Sequence, residues 1–163
     1  MSKIGRYSAD RKKIEAITAA KTVEVSDCGT IFTITPGTTD YDITLPKVAD
    51  AGNGWWCKFL YIASGSAQVK VIQNTGDTGD IVVARIVQST QLSSSITDHQ
   101  AEQFIKGLGG NAWTADGVKF RSGSVVAIGD QIEFVTDSNK WYMSGICSGS
   151  QSNLEAALAP YHA

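Results

Sequence analysis

The chain has 163 residues, of which 42% are hydrophobic, with 16 glycines and a formal net charge of −2. This length and composition predict one main domain with a sizeable core, and they exclude a chain that is disordered throughout. No segment approaches the ~20 apolar residues of a membrane-spanning helix, and the N-terminus lacks the apolar stretch of a signal peptide, so we expect neither a membrane partner nor export.

Residues 1–21 are predicted to form a basic arm. They contain six Lys or Arg residues against two acidic ones, a balance of +4, which leaves −6 for the rest of the chain. Ser8 or Asp10 could cap a helix of two turns whose apolar side is Ile14 and Ile17. Because such a helix is too short to be stable alone, we expect a partner or the body to order the arm. The charge would suit nucleic acid or an acidic protein surface, including a neighbouring copy.

Residues 22–149 are predicted to form an all-β body. Apolar and polar residues alternate with a period of two, and turn residues separate the segments. The clearest hairpin joins residues 131–136 to residues 140–146 through Asp137, Ser138 and Asn139. Further strands are predicted at residues 22–25, 31–34, 41–45, 55–63, 68–72, 81–87, 118–120 and 124–128. About eight to ten strands are typical of an antiparallel β-sandwich of the jelly-roll type.

Two segments interrupt or follow this pattern. Residues 89–117 are predicted to be an insertion that is either functional or in contact with a partner, and residues from Asp98 to Lys106 could form a helix. Residues 150–163 are predicted to form a short C-terminal helix and tail, because Ser152 and Glu155 fit a capping box and Leu154 and Leu158 share one face.

The tryptophans are the main candidates for binding. Adjacent residues in a strand point to opposite faces of a sheet, so only one of Trp55 and Trp56 can lie in the core. We expect the other to contact either a second layer or a neighbouring subunit, and we count Trp56 and Trp113 among the partner-binding residues. The alternative is a platform on which sugars stack.

Candidate chemical sites are weak. Asn74, Asp77 and Asp80 resemble a polar turn more than a calcium loop, and His99 and His162 lack a zinc-ligand pattern. No nucleophile or phosphate-binding motif is present. We therefore predict a protein that is not an enzyme and has no cofactor, no metal and no catalytic residue. Cys28, Cys57 and Cys147 lack a Cys-x-x-Cys spacing and are predicted to be small buried thiols in a reducing compartment.

Several segments together resemble tailed-phage capsid decoration, or cement, proteins. The segments that carry the resemblance are residues 5–13, 28–33, 43–46, 49–52, 55–59, 129–130 and 140–142. The resemblance covers most of the chain outside residues 64–117. The same Leu-Pro, Ala-Gly and Gly-Asp-to-Trp-Tyr order also occurs in tail-fibre and other virion β-domains.

The resemblance implies a virion structural protein that is made in the host cytoplasm and located on the capsid exterior. It implies a jelly-roll homotrimer whose partners are sister copies and the major capsid protein, and whose contacts stabilise the shell. We expect the partner-binding residues to be Arg6, Tyr7, Arg11, Lys12, Lys13, Trp56 and Trp113. The alternative function is a tail-fibre or carbohydrate-binding domain. Nucleic-acid binding is not expected, since the body is acidic and the arm has no interleaved aromatics beyond Tyr7.

Overall fold

The computed structural model describes residues 12–77, 81–89, 103–104, 113–115, 117–120, 128–148 and 158–161. These residues form a largely β protein with one short 3₁₀ helix (Val25–Asp27) and one short α-helix, α1 (Val48–Ala51). The strands are β1 (Ile14–Ile17), β2 (Lys21–Thr22), β3 (Ile31–Ile34), β4 (Tyr41–Thr44), β5 (Asn53–Tyr61), β6 (Val69–Ile72), β7 (Ile81–Ser89), β8 (Gln103–Phe104), β9 (Trp113–Ala115), β10 (Gly117–Phe120), β11 (Gln131–Asp137), β12 (Trp141–Ser148) and β13 (Leu158–Tyr161).

The strands assemble into two mixed sheets. The eight-stranded sheet has the order β1-β3-β5-β11-β12-β7-β8, and β9 also pairs with β7. The five-stranded sheet has the order β13-β10-β6-β4-β2. The hairpin of β11 and β12 has the predicted position and antiparallel pairing, with Val135 opposite Tyr142.

The first six strands pair in parallel, which differs from the antiparallel arrangement predicted from sequence. Strands β1, β3 and β5 lie side by side in one sheet, and β2, β4 and β6 lie side by side in the other. The chain thus alternates between the sheets and places each new strand beside the one laid down two strands before. Parallel neighbours need a long connection between them, and each excursion through the other sheet supplies it.

Buried side chains from both sheets form one core. Phe32, Phe59 and Phe134 are fully buried in the eight-stranded sheet, and Ile43 and Val71 are fully buried in the five-stranded sheet. Ring contacts link the aromatic members: Phe32 stacks on Phe59 at 5.3 Å, Phe59 meets Phe134 edge-on at 6.0 Å, and Tyr61 stacks on Phe120 at 5.7 Å. These contacts add to the burial of apolar area, which dominates the stability of such a core.

Part of the predicted arm belongs to the sheets. Ile14 and Ile17 lie in strand β1, beside Ile31 and Ile34 of β3, so the predicted helix across them is wrong. Two β-branched residues suit a strand, and the buried side chain of Ile17 gains a place in the core. Residues 1–11 lie outside the described part of the chain.

Other predicted elements are also corrected. The strand predicted at residues 22–25 ends at Thr22, and Val25 begins the 3₁₀ helix. Within the predicted insertion, strands β8 and β9 pair with β7, so Gln103 and Phe104 are not helical. Leu158 lies in strand β13 against β10, which removes it from the predicted C-terminal helix. The remainder of that helix, and residues 124–127 of the strand predicted at residues 124–128, are not described, while Ile128 lies in a turn.

An ion-pair cluster lies at the edge formed by β1 and β2. Lys13 Nζ is 2.7 Å from Asp27 and 3.2 Å from Glu15, and Lys21 Nζ is 2.7 Å from Glu15 and 3.9 Å from Asp27. Lys21 Nζ also lies 5.6 Å from the centre of the Phe32 ring. Inward-pointing charges at an edge strand oppose the addition of a further strand. The cluster therefore covers the end of the aromatic core with charge.

We expect this ion-pair cluster to make stability fall in acid. The hydrogen bond from Lys21 lowers the pKa of Glu15 below its ordinary 4.5. Burial alone would raise the pKa of Asp27, but hydrogen bonds from Lys13 and the Glu24 N–H leave it below its ordinary 3.8. Groups with a lowered folded pKa contribute stability above the ordinary values, and that stability is lost as pH falls through the folded values.

Urea unfolding followed by circular dichroism between neutral pH and pH ~3 measures this loss. The control is the double variant Glu15→Gln with Asp27→Asn, which should lose less stability over the same pH range. Equal losses in the two proteins would show that other carboxyl groups carry the acid sensitivity.

Candidate partner-binding surface

The face of the eight-stranded sheet that points away from the core is the candidate site, and we call it the outer face. Strand alternation defines its members, because the residues that alternate with them, such as Ile17, Phe32, Phe59 and Phe134, face the core. On strands β1, β3, β5, β11 and β12 these members are Ile14, Ala16, Ile31, Thr33, Trp56, Lys58, Leu60, Gln131, Glu133, Val135, Tyr142, Ser144 and Ile146.

The outer face is rich in apolar side chains. Ile14 is 67% exposed, Ile146 is 45% exposed and Val135 is 39% exposed. The corresponding face of the five-stranded sheet differs, since it presents the ion pair of Asp42 and Lys70, with their charged atoms 3.5 Å apart. Large exposed apolar areas on soluble proteins mark interaction sites more often than charged faces do. The outer face is therefore the better candidate of the two.

Trp55 and Trp56 lie on opposite sides of strand β5, as the sequence predicts. Trp55 is 3% exposed, meets Trp141 edge-on at 5.3 Å and donates its indole N–H to the Val25 carbonyl at 2.8 Å. Trp56 is half-buried on the outer face, where Val135 lies opposite it in the register. The half-buried ring offers both apolar area and a polar edge, the combination that recurs in protein interfaces.

Two of the predicted binding residues meet at one corner of this face. Lys12 Nζ lies 6.0 Å from the centre of the Trp56 ring, within the range of a cation–π interaction. Lys13 then joins β1 to β3, because its carbonyl accepts the Ile31 N–H at 2.9 Å. Lys12, the first residue that the structure describes, therefore lies beside Trp56.

A shallow cavity opens at the middle of the outer face. It has a volume of about 280 Å³ and is lined by Lys58, Gln131, Ile132, Glu133, Ser144, Gly145 and Ile146. Gly145 has a defined steric role there, because a Cβ atom at this position would lie 2.8 Å from the Gln131 carbonyl oxygen. The floor of the cavity is thus close-packed, and its rim carries one lysine and one glutamate.

Lys58 and Glu133 lie directly opposite each other on β5 and β11. Neither has an ion-pair or hydrogen-bond partner for its side chain among the described residues. The sequence predicts that Lys58 points outward, and the structure confirms this position. Sequence reasoning missed Glu133 and its neighbours Val135 and Ile146, although their outward positions follow from alternation with buried Ile132 and Phe134.

The other predicted partner-binding residues lie in different parts of the structure or outside its described residues. Lys13 belongs to the ion-pair cluster, so its charge is already matched by Asp27 and Glu15. Trp113 begins strand β9 beside β7, while its side chain lies outside the described part of the structure. Arg6, Tyr7 and Arg11 also lie outside the described residues, so their predicted roles stay predictions.

The cysteines and polar turns offer no chemical site among the described residues. Cys57 is fully buried, and burial raises the pKa of its thiol well above the ordinary value. Cys28 is exposed, which contradicts its predicted burial. Asp77 donates its N–H to the Asn74 carbonyl within a turn, and its carboxylate accepts the N–H of Val48, the first residue of α1, at 3.2 Å. The described part of the chain contains no cluster of three or more His, Cys, Asp or Glu residues suited to a metal ion.

Comparisons with known proteins add no relationship: no protein-family model, no curated protein and no solved structure matches this chain. Among the described residues, no helix has the length and apolar character needed to span a bilayer.

Proposed function

We propose that this chain is a structural protein of a bacteriophage virion, a capsid decoration protein that forms homotrimers on the exterior of the head. Its partners are sister copies and the major capsid protein, and it performs no reaction. The observation that carries the proposal is the outer face, a broad apolar surface beside which the described chain begins, at the contact of Lys12 with Trp56.

The two surfaces of the body suit such a role. The outer face supplies apolar area for contacts between proteins, and the charged face of the five-stranded sheet suits contact with water. Weak contacts are sufficient on a shell, because many copies bind at once and each bound copy raises the local concentration of the next contact. The basic arm adds an electrostatic contact to acidic surfaces.

Deletion of residues 1–11 tests the proposal. It retains Lys12 and Lys13, so strand β1 and the ion-pair cluster keep all their described partners. We expect a folded body that binds empty shells of the source phage about tenfold more weakly or worse, because the arm contributes several cationic contacts. Co-sedimentation with shells that lack the protein measures binding, and circular dichroism checks the fold.

The matched control is the full chain with Arg6→Gln and Arg11→Gln, which keeps the length of the arm and removes two charges. It should lose part of the binding, and the remaining binding should depend less on salt. Unchanged occupancy of shells by both variants would overturn the role of the arm. Failure of the unmodified full chain to bind shells would overturn the proposed function itself.

A second candidate function is carbohydrate binding, as in a tail-fibre domain. The observation that favours it is the row formed by Trp56, Val135 and Tyr142, which brings two partly exposed aromatic rings onto one face. Sugars stack on such rings. Binding on a glycan array that is abolished by Trp56→Ala or Trp113→Ala, without loss of the fold, would favour this function over decoration.

A further inference from the structure

We propose that the outer face is the surface through which copies of this chain bind one another, with Lys58 of one copy paired to Glu133 of the next. The inference rests on the proposed function and names the partner of the outer face as a sister copy.

The first argument is the kind of sheet that carries the face. Strands β1, β3 and β5 are parallel, and parallel sheets are usually covered on both sides. The core covers one side of these strands. The other side carries Ile31, Trp56 and Leu60, which alternate with fully buried Phe32, Cys57 and Phe59. Apart from Lys58, the outward residues from Trp56 to Leu60 are therefore apolar as well, as expected for a strand that is covered on both sides.

The second argument is the distribution of charge. The half of the outer face formed by β1, β3 and β5 has Lys12 at its corner and Lys58 near its middle. The half formed by β11 and β12 carries Glu133, and exposed Asp137 and Lys140 lie together at its end, so two acidic groups face one basic group there. One half is thus basic and the other acidic. Such a face can pair head to tail around a three-fold axis, because the basic half of each copy matches the acidic half of the next.

The third argument is the size of the face. Five strands spaced by ~4.8 Å and three outward residues along each strand cover about 500 Å² per copy. Three such surfaces around a three-fold axis bury about 1,500 Å² in all, so each pair of neighbours shares about 500 Å², the size of a weak contact. We therefore expect self-association in the ~micromolar range. The cavity that Lys58 and Glu133 help to line leaves room for a side chain of the neighbouring copy at the centre of this contact.

The experiment is a charge exchange on the full chain, measured by sedimentation equilibrium without shells. Lys58→Glu places two acidic groups against each other across the contact, and Glu133→Lys places two basic groups there. Each single variant should raise the dissociation constant of self-association about tenfold or more, and the double variant should restore it to within about threefold of the unmodified chain.

The opposite face provides the matched control. Asp42 and Lys70 lie directly opposite each other on β4 and β6, as Lys58 and Glu133 do on β5 and β11. Lys70→Glu therefore places an acidic residue opposite Asp42, and also opposite Lys119 of β10. Circular dichroism of both variants reports any general loss of fold. We expect Lys70→Glu to leave the dissociation constant unchanged.

The outcomes separate this inference from the proposed function. A chain that stays monomeric at high concentration, or a Lys58→Glu variant that associates normally, would overturn the interface. A double variant that does not recover association would overturn the pairing of Lys58 with Glu133. The variants could change self-association as expected while the unmodified chain fails to bind shells. That result would support the interface and overturn the capsid function.

Discussion

Replacing Trp141 with alanine should lower the free energy of unfolding by about 3–5 kcal/mol, the range for a large aromatic side chain removed from a packed core. Trp141 is 1% exposed, and it meets Trp55 edge-on at 5.3 Å and Phe134 edge-on at 6.4 Å. Its removal leaves a cavity between two rings that the rigid sheet cannot close. Urea unfolding monitored by circular dichroism, at a concentration too low for self-association, measures the change.

Trp141→Phe is the control for this prediction. The indole N–H of Trp141 is buried and has no hydrogen-bond partner among the described residues. Phenylalanine keeps most of the ring contacts and removes this unsatisfied donor, so we expect a loss of only about 1–2 kcal/mol. Similar losses for alanine and phenylalanine would mean that the ring contacts do not determine stability at this position.

Gly117→Ala should also destabilise the protein, by about 1–3 kcal/mol, although it adds a single methyl group. Gly117 begins strand β10, opposite Ile72 of β6. A Cβ atom there would lie 2.6 Å from the Val71 carbonyl oxygen and 2.8 Å from the Ile72 Cγ2 atom. Because one of these atoms belongs to the backbone of a paired strand, the clash can be relieved only by moving β10 away from β6.

Gly37→Ala is the matched control for the second prediction. No atom lies within 4 Å of a Cβ atom built at Gly37. The substitution should therefore be neutral or slightly stabilising, since alanine restricts the unfolded chain more than glycine does. Equal effects of the two substitutions in urea unfolding would show that close approach of β10 and β6 is not the reason for glycine at position 117.

The positions of most strands could be predicted from the sequence, but their partners could not. Alternation around Phe32, Phe59, Ile132 and Phe134 reveals each strand and its buried side, because burial repeats every second residue. The direction of the neighbouring strand leaves no such local signal. The parallel pairing of β3 with β5 depends instead on the route of the whole chain between Ile34 and Asn53.

Short amphipathic patterns produced the clearest errors. Ile14 and Ile17 are three positions apart, which suits a helix as well as a strand when no further residues extend the pattern. The segment forms a strand because β3 provides hydrogen-bond partners and the side chain of Ile17 is buried in the core. Leu158 is a similar case, since the strand β10 beside it was not visible in the local sequence.

The candidate site was partly predictable. The opposite directions of Trp55 and Trp56 follow from strand geometry alone, and the contact of Lys12 with Trp56 supports their joint assignment to one surface. The pairing of Lys58 with Glu133 could not be predicted, because it requires the register between strands far apart in the chain. We predicted that Lys13 binds a partner, whereas in the structure it forms an ion pair with Asp27.

The position of β5 between β3 and β11 has a consequence for synthesis on the ribosome. Phe59 of β5 pairs with Ile132 of β11, so one edge of β5 stays open until most of the chain has been translated. During that interval an aromatic and β-prone segment is available to other nascent chains, and long-range pairing makes its protection slow. Productive folding of this chain therefore competes with aggregation until β11 emerges.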